Sequence, residues 1–277
     1  MKNIHAKRVV LFIVILALLT NVQDVALTFI ENQGIKSLII MWVPGISALL
    51  VALFTKLSLR SFGWRFPIKW ISIGWILPIL YATIAYSIVW LFGLGDVPNP
   101  TFLERARLTS GMTIESDTAV IILSFFYITV VGILPNMIIC LGEEIGWRGF
   151  LVPELTKWIS MKNAGWVSGI IWASWHLPGI ISGAYAVEGI PLWYQVFCFT
   201  LMVISTAIIL AFLRMKSNSI WPAVVFHAVH NGVIQRFFDR ITIDNGMTNL
   251  FIGEFGIILA VVTSIFAIYY YNNYRKI

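Results

Sequence analysis

Three short stretches carry polar chemistry where the surrounding sequence is apolar. They are Glu143-Glu144-Ile145-Gly146-Trp147-Arg148, Trp172-Ala173-Ser174-Trp175-His176 and His227-Ala228-Val229-His230-Asn231. An ionisable side chain inside an apolar span costs several kcal/mol by insertion scales, so each such group is a functional candidate. A carboxylate, two histidines and an asparagine suit hydrolysis of an amide. A glutamate can take a proton from water as general base. Neutral imidazole and carboxamide groups can hydrogen-bond the oxyanion of the tetrahedral intermediate. Glu144 and Arg148 stand at i,i+4, which stacks acid and base on one helix face, and His227 and Asn231 share the same spacing. Taken singly, each group has a structural reading: an ion pair near a membrane surface, a buried interhelical hydrogen bonder, or polar glue between helices. Ser174 and Cys140 carry no adjacent base that would mark a nucleophile. The His-Glu-x-x-His and His-x-x-Glu-His zinc patterns are absent. No cofactor is expected on that ground, although Glu143, His176 and His227 are zinc-ligand types and form the alternative metal set.

The elements that must hold these groups are read from hydropathy. Hydrophobic residues make up 59% of the 277 positions and charged residues 12%, against roughly a quarter charged in a soluble domain. Mean hydropathy is +0.86. So little charge cannot wet the surface of a globule, and the solvent for much of the chain is lipid. A spanning helix needs about 20 mostly apolar residues. Such runs lie at 9–30, 37–54, 70–94, 119–141, 164–181, 192–213, 220–234 and 251–271. The fold class expected is therefore all-α, a single transmembrane bundle of about eight spans over residues 1–277. Lys2–Asp24 also resembles a signal peptide in its basic start and apolar core, but no small-x-small cleavage site follows, so it is read as a retained span. Cys140 and Cys198 fall inside apolar runs and read as packing residues.

At 1.5 Å per residue, Glu143 would sit roughly 15 Å above a helix end at Val152, where Pro153 disfavours continuation. His227 would lie about 12 Å in from Ser219, and His176 about 20 Å from Asn163. The three therefore share a depth. One helix over 119–152 would be about 50 Å long, so Gly132 and Pro135 are expected to kink or break it. With the N-terminus inside, 14 of the 19 basic residues fall on one side, against Lys36, Arg105, Arg107, Arg236 and Arg240 on the other. That bias places both termini in the cytoplasm of a multi-pass cell-membrane protein. It also accounts for the net charge of +6 through an anionic leaflet, with no nucleic-acid partner required.

The order Glu-Glu-x-x-x-Arg, aromatic-x-x-x-His, His-x-x-x-Asn resembles the Abi/CPBP family of intramembrane proteases, which includes CAAX prenyl endopeptidases and bacteriocin-processing enzymes. The resemblance covers 136–231, and Trp172 stands where that family usually has phenylalanine. It implies an eight-helix endopeptidase opening towards the cytoplasmic side and acting on a membrane-associated peptide or protein substrate. Carried over by position, Glu143 activates water with help from His176, His227 and Asn231 form the oxyanion site, and Glu144 and Arg148 hold these groups in place. His230 is extra to the motif and reads as a hydrogen bonder within the bundle. Two rival functions remain: a proton-coupled transporter, which the clustering of all polar motifs in the second half of the chain disfavours, and a non-catalytic immunity or scaffold protein on the same fold.

Overall fold

The computed structural model describes residues 2–110 and 114–274, the side chains of Lys2, Asn3 and Ser110 excepted. Arg275 and Lys276, counted in the charge bias, lie outside the described residues. Helices follow in the order α1 (Lys2–Leu27), α2 (Gln33–Phe54), α3 (Ile68–Leu91), α4 (Pro100–Ser110), α5 (Asp117–Phe126), α6 (Ile133–Glu144), α7 (Val152–Thr156), α8 (Met161–Ile181), α9 (Leu192–Ser217), α10 (Trp221–Asn231), α11 (Asp239–Ile241) and α12 (Ile257–Asn273). Three π-helical stretches extend α5, α6 and α10: Tyr127–Val131, Ile145–Leu151 and Gly232–Phe238. Among the described residues there is no strand, only the isolated bridges Trp64–Ser219 and Asp96–Ile243.

The polytopic helical bundle is as expected, and each apolar run corresponds to a helix. Four helices, 4–27, 33–54, 68–91 and 192–217, are long and apolar enough to cross a bilayer. Asp117–Val131 with Ile133–Thr156, bent by 45° at the break, makes a fifth. Length and apolarity alone thus single out fewer helices than the eight expected spans. The shortfall lies in the helices that carry the polar motifs, α8 and α10, and in the shorter apolar α12. The bend at Gly132 falls where Gly132 and Pro135 were expected to interrupt a 50 Å rod. The stop at Val152 is not observed. Helix continues to Thr156 because Pro153 occupies the first turn of α7, where its missing amide hydrogen has no required acceptor. The polar connection after α3 contains α4.

Lipid offers no hydrophobic drive between helices, so close packing relies on small residues. Gly142 and Gly146, four apart on one face, lie against the backbone of α2. A Cβ on Gly142 would fall 2.6 Å from Met41 O, and one on Gly146 would fall 2.6 Å from Pro44 Cβ. Gly45 approaches in return, 2.5 Å from Gly142 O by the same construction. Trp42 Nε1 donates to Ile138 O at 3.0 Å across the same contact. This seam fixes the helix end that presents Glu143 and Glu144.

The end of the bundle bearing the chain's N-terminus is closed. Phe12, Phe62 and Phe150 are each at most 1% exposed, with ring centroids 5.2 Å apart for Phe12–Phe150 and 6.4 Å for Phe62–Phe150. Buried Arg214 locks three segments there. Its Nε donates to Arg148 O at 2.8 Å, Nη2 to Ser61 O at 3.0 Å and Nη1 to Asn218 Oδ1 at 3.2 Å. His5 and Lys157 reach Glu154 at 2.8 and 2.7 Å, tying α1 to α7.

Gly142→Ala is expected to lower the midpoint of thermal unfolding in detergent, at an overpacking cost of about 1–3 kcal/mol. Gly179→Ala, whose Cβ would meet only Tyr185 Cβ at 3.5 Å, should leave it unchanged. Equal midpoints for the two variants would show that the seam is not close-packed.

Candidate active site

The two adjacent glutamates are buried for different purposes. Glu143, 3% exposed, ends α6 with its Oε2 accepting two indole hydrogen bonds, from Trp147 Nε1 at 2.9 Å and Trp172 Nε1 at 2.7 Å. Trp147 lies four residues on along the same turn, and Trp172 comes from α8. Among the described residues, Oε1 has no hydrogen-bond partner. Glu144 points elsewhere and is fully buried. Its Oε1 accepts from Arg148 Nη1 at 3.0 Å and faces His227 Nδ1 at 2.9 Å. The Arg148 guanidinium lies 4.2 Å from the centre of the Trp172 ring, a cation–π contact that holds it under the site.

Hydrogen-bond chemistry assigns the histidine tautomers. A carboxylate that accepts leaves the proton on His227 Nδ1, so neutral His227 presents a lone pair at Nε2. It becomes a donor at Nε2 only as imidazolium, a charge that the adjacent Glu144 carboxylate stabilises. The neutral-imidazole oxyanion donor expected from sequence is therefore not what this arrangement offers. His176 Nδ1 donates to Trp172 O at 3.0 Å, one helical turn back, which leaves its Nε2 as an acceptor. Rings surround it: Trp175 at 4.8 Å, Phe199 at 5.1 Å and Tyr185 at 6.0 Å between centroids. Asn231 Nδ2 has one weak partner, Cys140 Sγ at 3.9 Å.

Glu143, His176, His227 and Asn231 line one cavity of about 1060 Å³. Residues from α6, α8 and α10, separated by up to 88 positions in sequence, are thus brought to a single wall. Glu144 and Arg148 sit behind that wall, not on it. Among the described residues, no group of three His, Cys, Asp or Glu side chains is placed to hold a metal ion, so Glu143, His176 and His227 share a cavity without converging as a ligand set.

His230 is buried as expected for a bundle hydrogen bonder, and it belongs to a network that sequence reading missed. Its Nδ1 pairs with Tyr81 OH, its Nε2 with Glu254 Oε1 at 3.1 Å, and Tyr185 OH donates to Glu254 Oε2. Glu254, in the connection before α12, had no helical spacing to reveal it. Trp147 as a partner of Glu143 was readable from its i+4 position. Trp172 was recognised only as a motif aromatic.

The cavity's remaining walls come from the C-terminal end of α1 (Thr20, Asp24, Leu27), the start of α2 (Gln33, Lys36, Ile40), the end of α8 and the π turn with Gln235 and Arg236. These lie at the end of the bundle opposite the N-terminus. A site opening on the same side as the termini, implied by combining the charge bias with the family resemblance, is therefore not observed.

Residues 121–233 match the Rce1-like family, type II CAAX prenyl endopeptidases. This match supports the resemblance of that segment to the Abi/CPBP family. The match to this family takes in all six residues that carry the motif. CAAX prenyl protease 2 of Methanococcus maripaludis is 33% identical over 93 residues, which is 32% of this chain and 34% of that protein. The chain thus aligns with about a third of the length of this curated relative.

Glu144→Gln is expected to destabilise the fold by about 3–5 kcal/mol, because it strands the buried Arg148 charge, and to lower the thermal midpoint accordingly. Unchanged stability would mean that the Glu144–Arg148 pair does not support the wall.

Proposed function

We propose that this chain is an intramembrane endopeptidase that hydrolyses an amide bond of a membrane-associated peptide or protein, with Glu143 as the general base and no metal. The observation that carries the reading is the cavity wall itself. One carboxylate oxygen is held by two indoles and the other has no partner among the described residues, beside an imidazole acceptor and a carboxamide donor whose one partner is a weak contact to Cys140 Sγ. The name of the aligned relative supports a CAAX-type substrate. Processing of bacteriocin or pheromone leaders fits the same chemistry. An immunity or scaffold role would not need a base so prepared.

The residues divide the work as follows. Glu143 Oε1 takes a proton from a water molecule oriented by His176 Nε2. The water oxygen bonds to the scissile carbonyl carbon as the π pair moves to the carbonyl oxygen. Asn231 Nδ2–H donates to that oxyanion, and His227 joins it as imidazolium against Glu144. The carbonyl then re-forms, the C–N bond breaks and the leaving nitrogen receives the proton from Glu143. Tryptophans 147, 172 and 175 exclude bulk water, which strengthens each of these interactions.

Glu143→Gln should abolish cleavage of a peptide substrate while the protein stays monodisperse, since Gln keeps the volume and the acceptor for both indoles. Near-normal turnover would remove Glu143 as the base. His227→Ala and Asn231→Ala should each lower turnover by roughly 10²–10³, with the double variant losing less than the product because both serve one oxyanion. Exhaustive chelation should leave turnover intact. Loss on chelation with recovery on adding stoichiometric zinc would install Glu143, His176 and His227 as ligands instead.

A further inference from the structure

His176 Nε2 can orient a water molecule for Glu143 only while its ring is held at a fixed angle. One hydrogen bond, from Nδ1 to Trp172 O at 3.0 Å, sets the tautomer but leaves the ring able to tilt about that contact. The neighbouring rings restrain the tilt. Trp175 is anchored by its own Nε1, which donates to Thr20 Oγ1 at 3.0 Å. Phe199 and Tyr185 both rest on one dipeptide, Glu254-Phe255. Phe255 lies 5.5 Å from Phe199 and 5.3 Å from Tyr185 between centroids, and Glu254 Oε2 accepts from Tyr185 OH. That hydroxyl is not needed to tether the chain. Gln195 already pins the α8–α9 connection through Val187 N, Val187 O and Ile190 O, at 2.8, 2.9 and 2.8 Å. Tyr194 OH joins the same region to Leu250 O at 2.5 Å, in the connection that carries Glu254.

We propose that Glu254 is a positioning residue: through the Tyr185 hydroxyl it holds the Tyr185 ring against His176 and so fixes the direction of His176 Nε2. The proposal rests on the peptidase reading, in which that nitrogen orients the attacking water. The choice of residue supports it. The Glu254 side chain is 10% exposed, and a carboxylate so enclosed is costly unless hydrogen-bonded, whereas an apolar residue would fill the space without that cost. Both oxygens are used. Oε2 holds Tyr185, and Oε1 accepts from His230 Nε2 at 3.1 Å, whose Nδ1 accepts in turn from Tyr81 OH. Glu254 is thus fixed from α3 and α10, and the order passes to His176 through a ring 6.0 Å away between centroids. At the far end of this chain, Tyr81 packs on Phe226, His230 and Phe266.

The experiment compares two single-hydroxyl deletions in the full chain in detergent, using a fluorogenic peptide that ends in a prenylated CAAX sequence. Tyr185→Phe keeps the ring and removes its bond to Glu254. It should lower kcat by roughly 10- to 100-fold, the scale for misplacing a reacting group by about 1 Å, with KM unchanged. Tyr81→Phe makes the same chemical change at the other end of the chain and should leave kcat unaltered. Glu254→Leu should match Tyr185→Phe, and Glu254→Gln, which keeps a partner for both His230 and Tyr185, should restore turnover. Nitrogen-15 spectra of histidine-labelled protein supply a readout that needs no substrate. The His176 ring signals, identified by their loss in His176→Gln, should shift or broaden in Tyr185→Phe and stay in place in Tyr81→Phe. Equal losses of kcat in the two tyrosine variants, a loss confined to KM, or unmoved His176 signals in Tyr185→Phe would each overturn the proposal. Absence of cleavage by the unsubstituted protein would instead remove the peptidase reading, and the histidine signals would still decide whether Glu254 positions His176.

Discussion

A single buried carboxylate, that of Glu144, holds the polar interior together. It has no solvent exposure, and one of its oxygens meets both the Arg148 guanidinium and the His227 ring. In a lipid-solvated bundle neither cation-forming group would be tolerated alone. Arg148 in turn lies on the Trp172 ring, and Trp172 donates to Glu143. The α6 turn, α8 and α10 are thus linked through one oxygen, its arginine and one indole. The glycine seam between α2 and α6 sets the position of that oxygen, because Gly142 and Gly146 flank the glutamate pair and leave no room for either helix to slide.

The two π stretches nearest the site follow directly from it. One begins at Ile145, immediately after the glutamates, and the other at Gly232, immediately after Asn231. Wide turns of this kind concentrate at functional sites. Here they let the helix lining change face without ending. Beyond Asn231, the π turn brings Gln235 and Arg236 onto the cavity wall. In a regular helix at 3.6 residues per turn, Arg236 would lie about 140° away from Asn231.

Much of this was readable from sequence, for a definite reason. A charge in an apolar run is costly enough that its presence alone marks a candidate, so Glu143, His176, His227 and Asn231 stood out without any contact being known. Local spacing also gave Glu144–Arg148. What could not be read was partnership across the bundle. The His227–Glu144 contact joins residues 83 positions apart, and the Tyr81–His230–Glu254–Tyr185 chain joins two helices and two connections. A test by length and apolarity alone picks out fewer helices than the eight runs read from sequence, because the site helices are the polar ones and their function lowers the hydropathy by which spans are recognised. The direction of opening escaped because equal depth says nothing about which end of a bundle is plugged.

The two indoles on Glu143 also break the symmetry of its carboxyl group. Both act on Oε2, which leaves Oε1 as the oxygen on which an added proton will rest. A carboxyl so held picks up and releases protons at one edge only. In the hydrolysis proposed above, the attacking oxygen and the departing nitrogen would then have to approach the same edge of the group within one turnover.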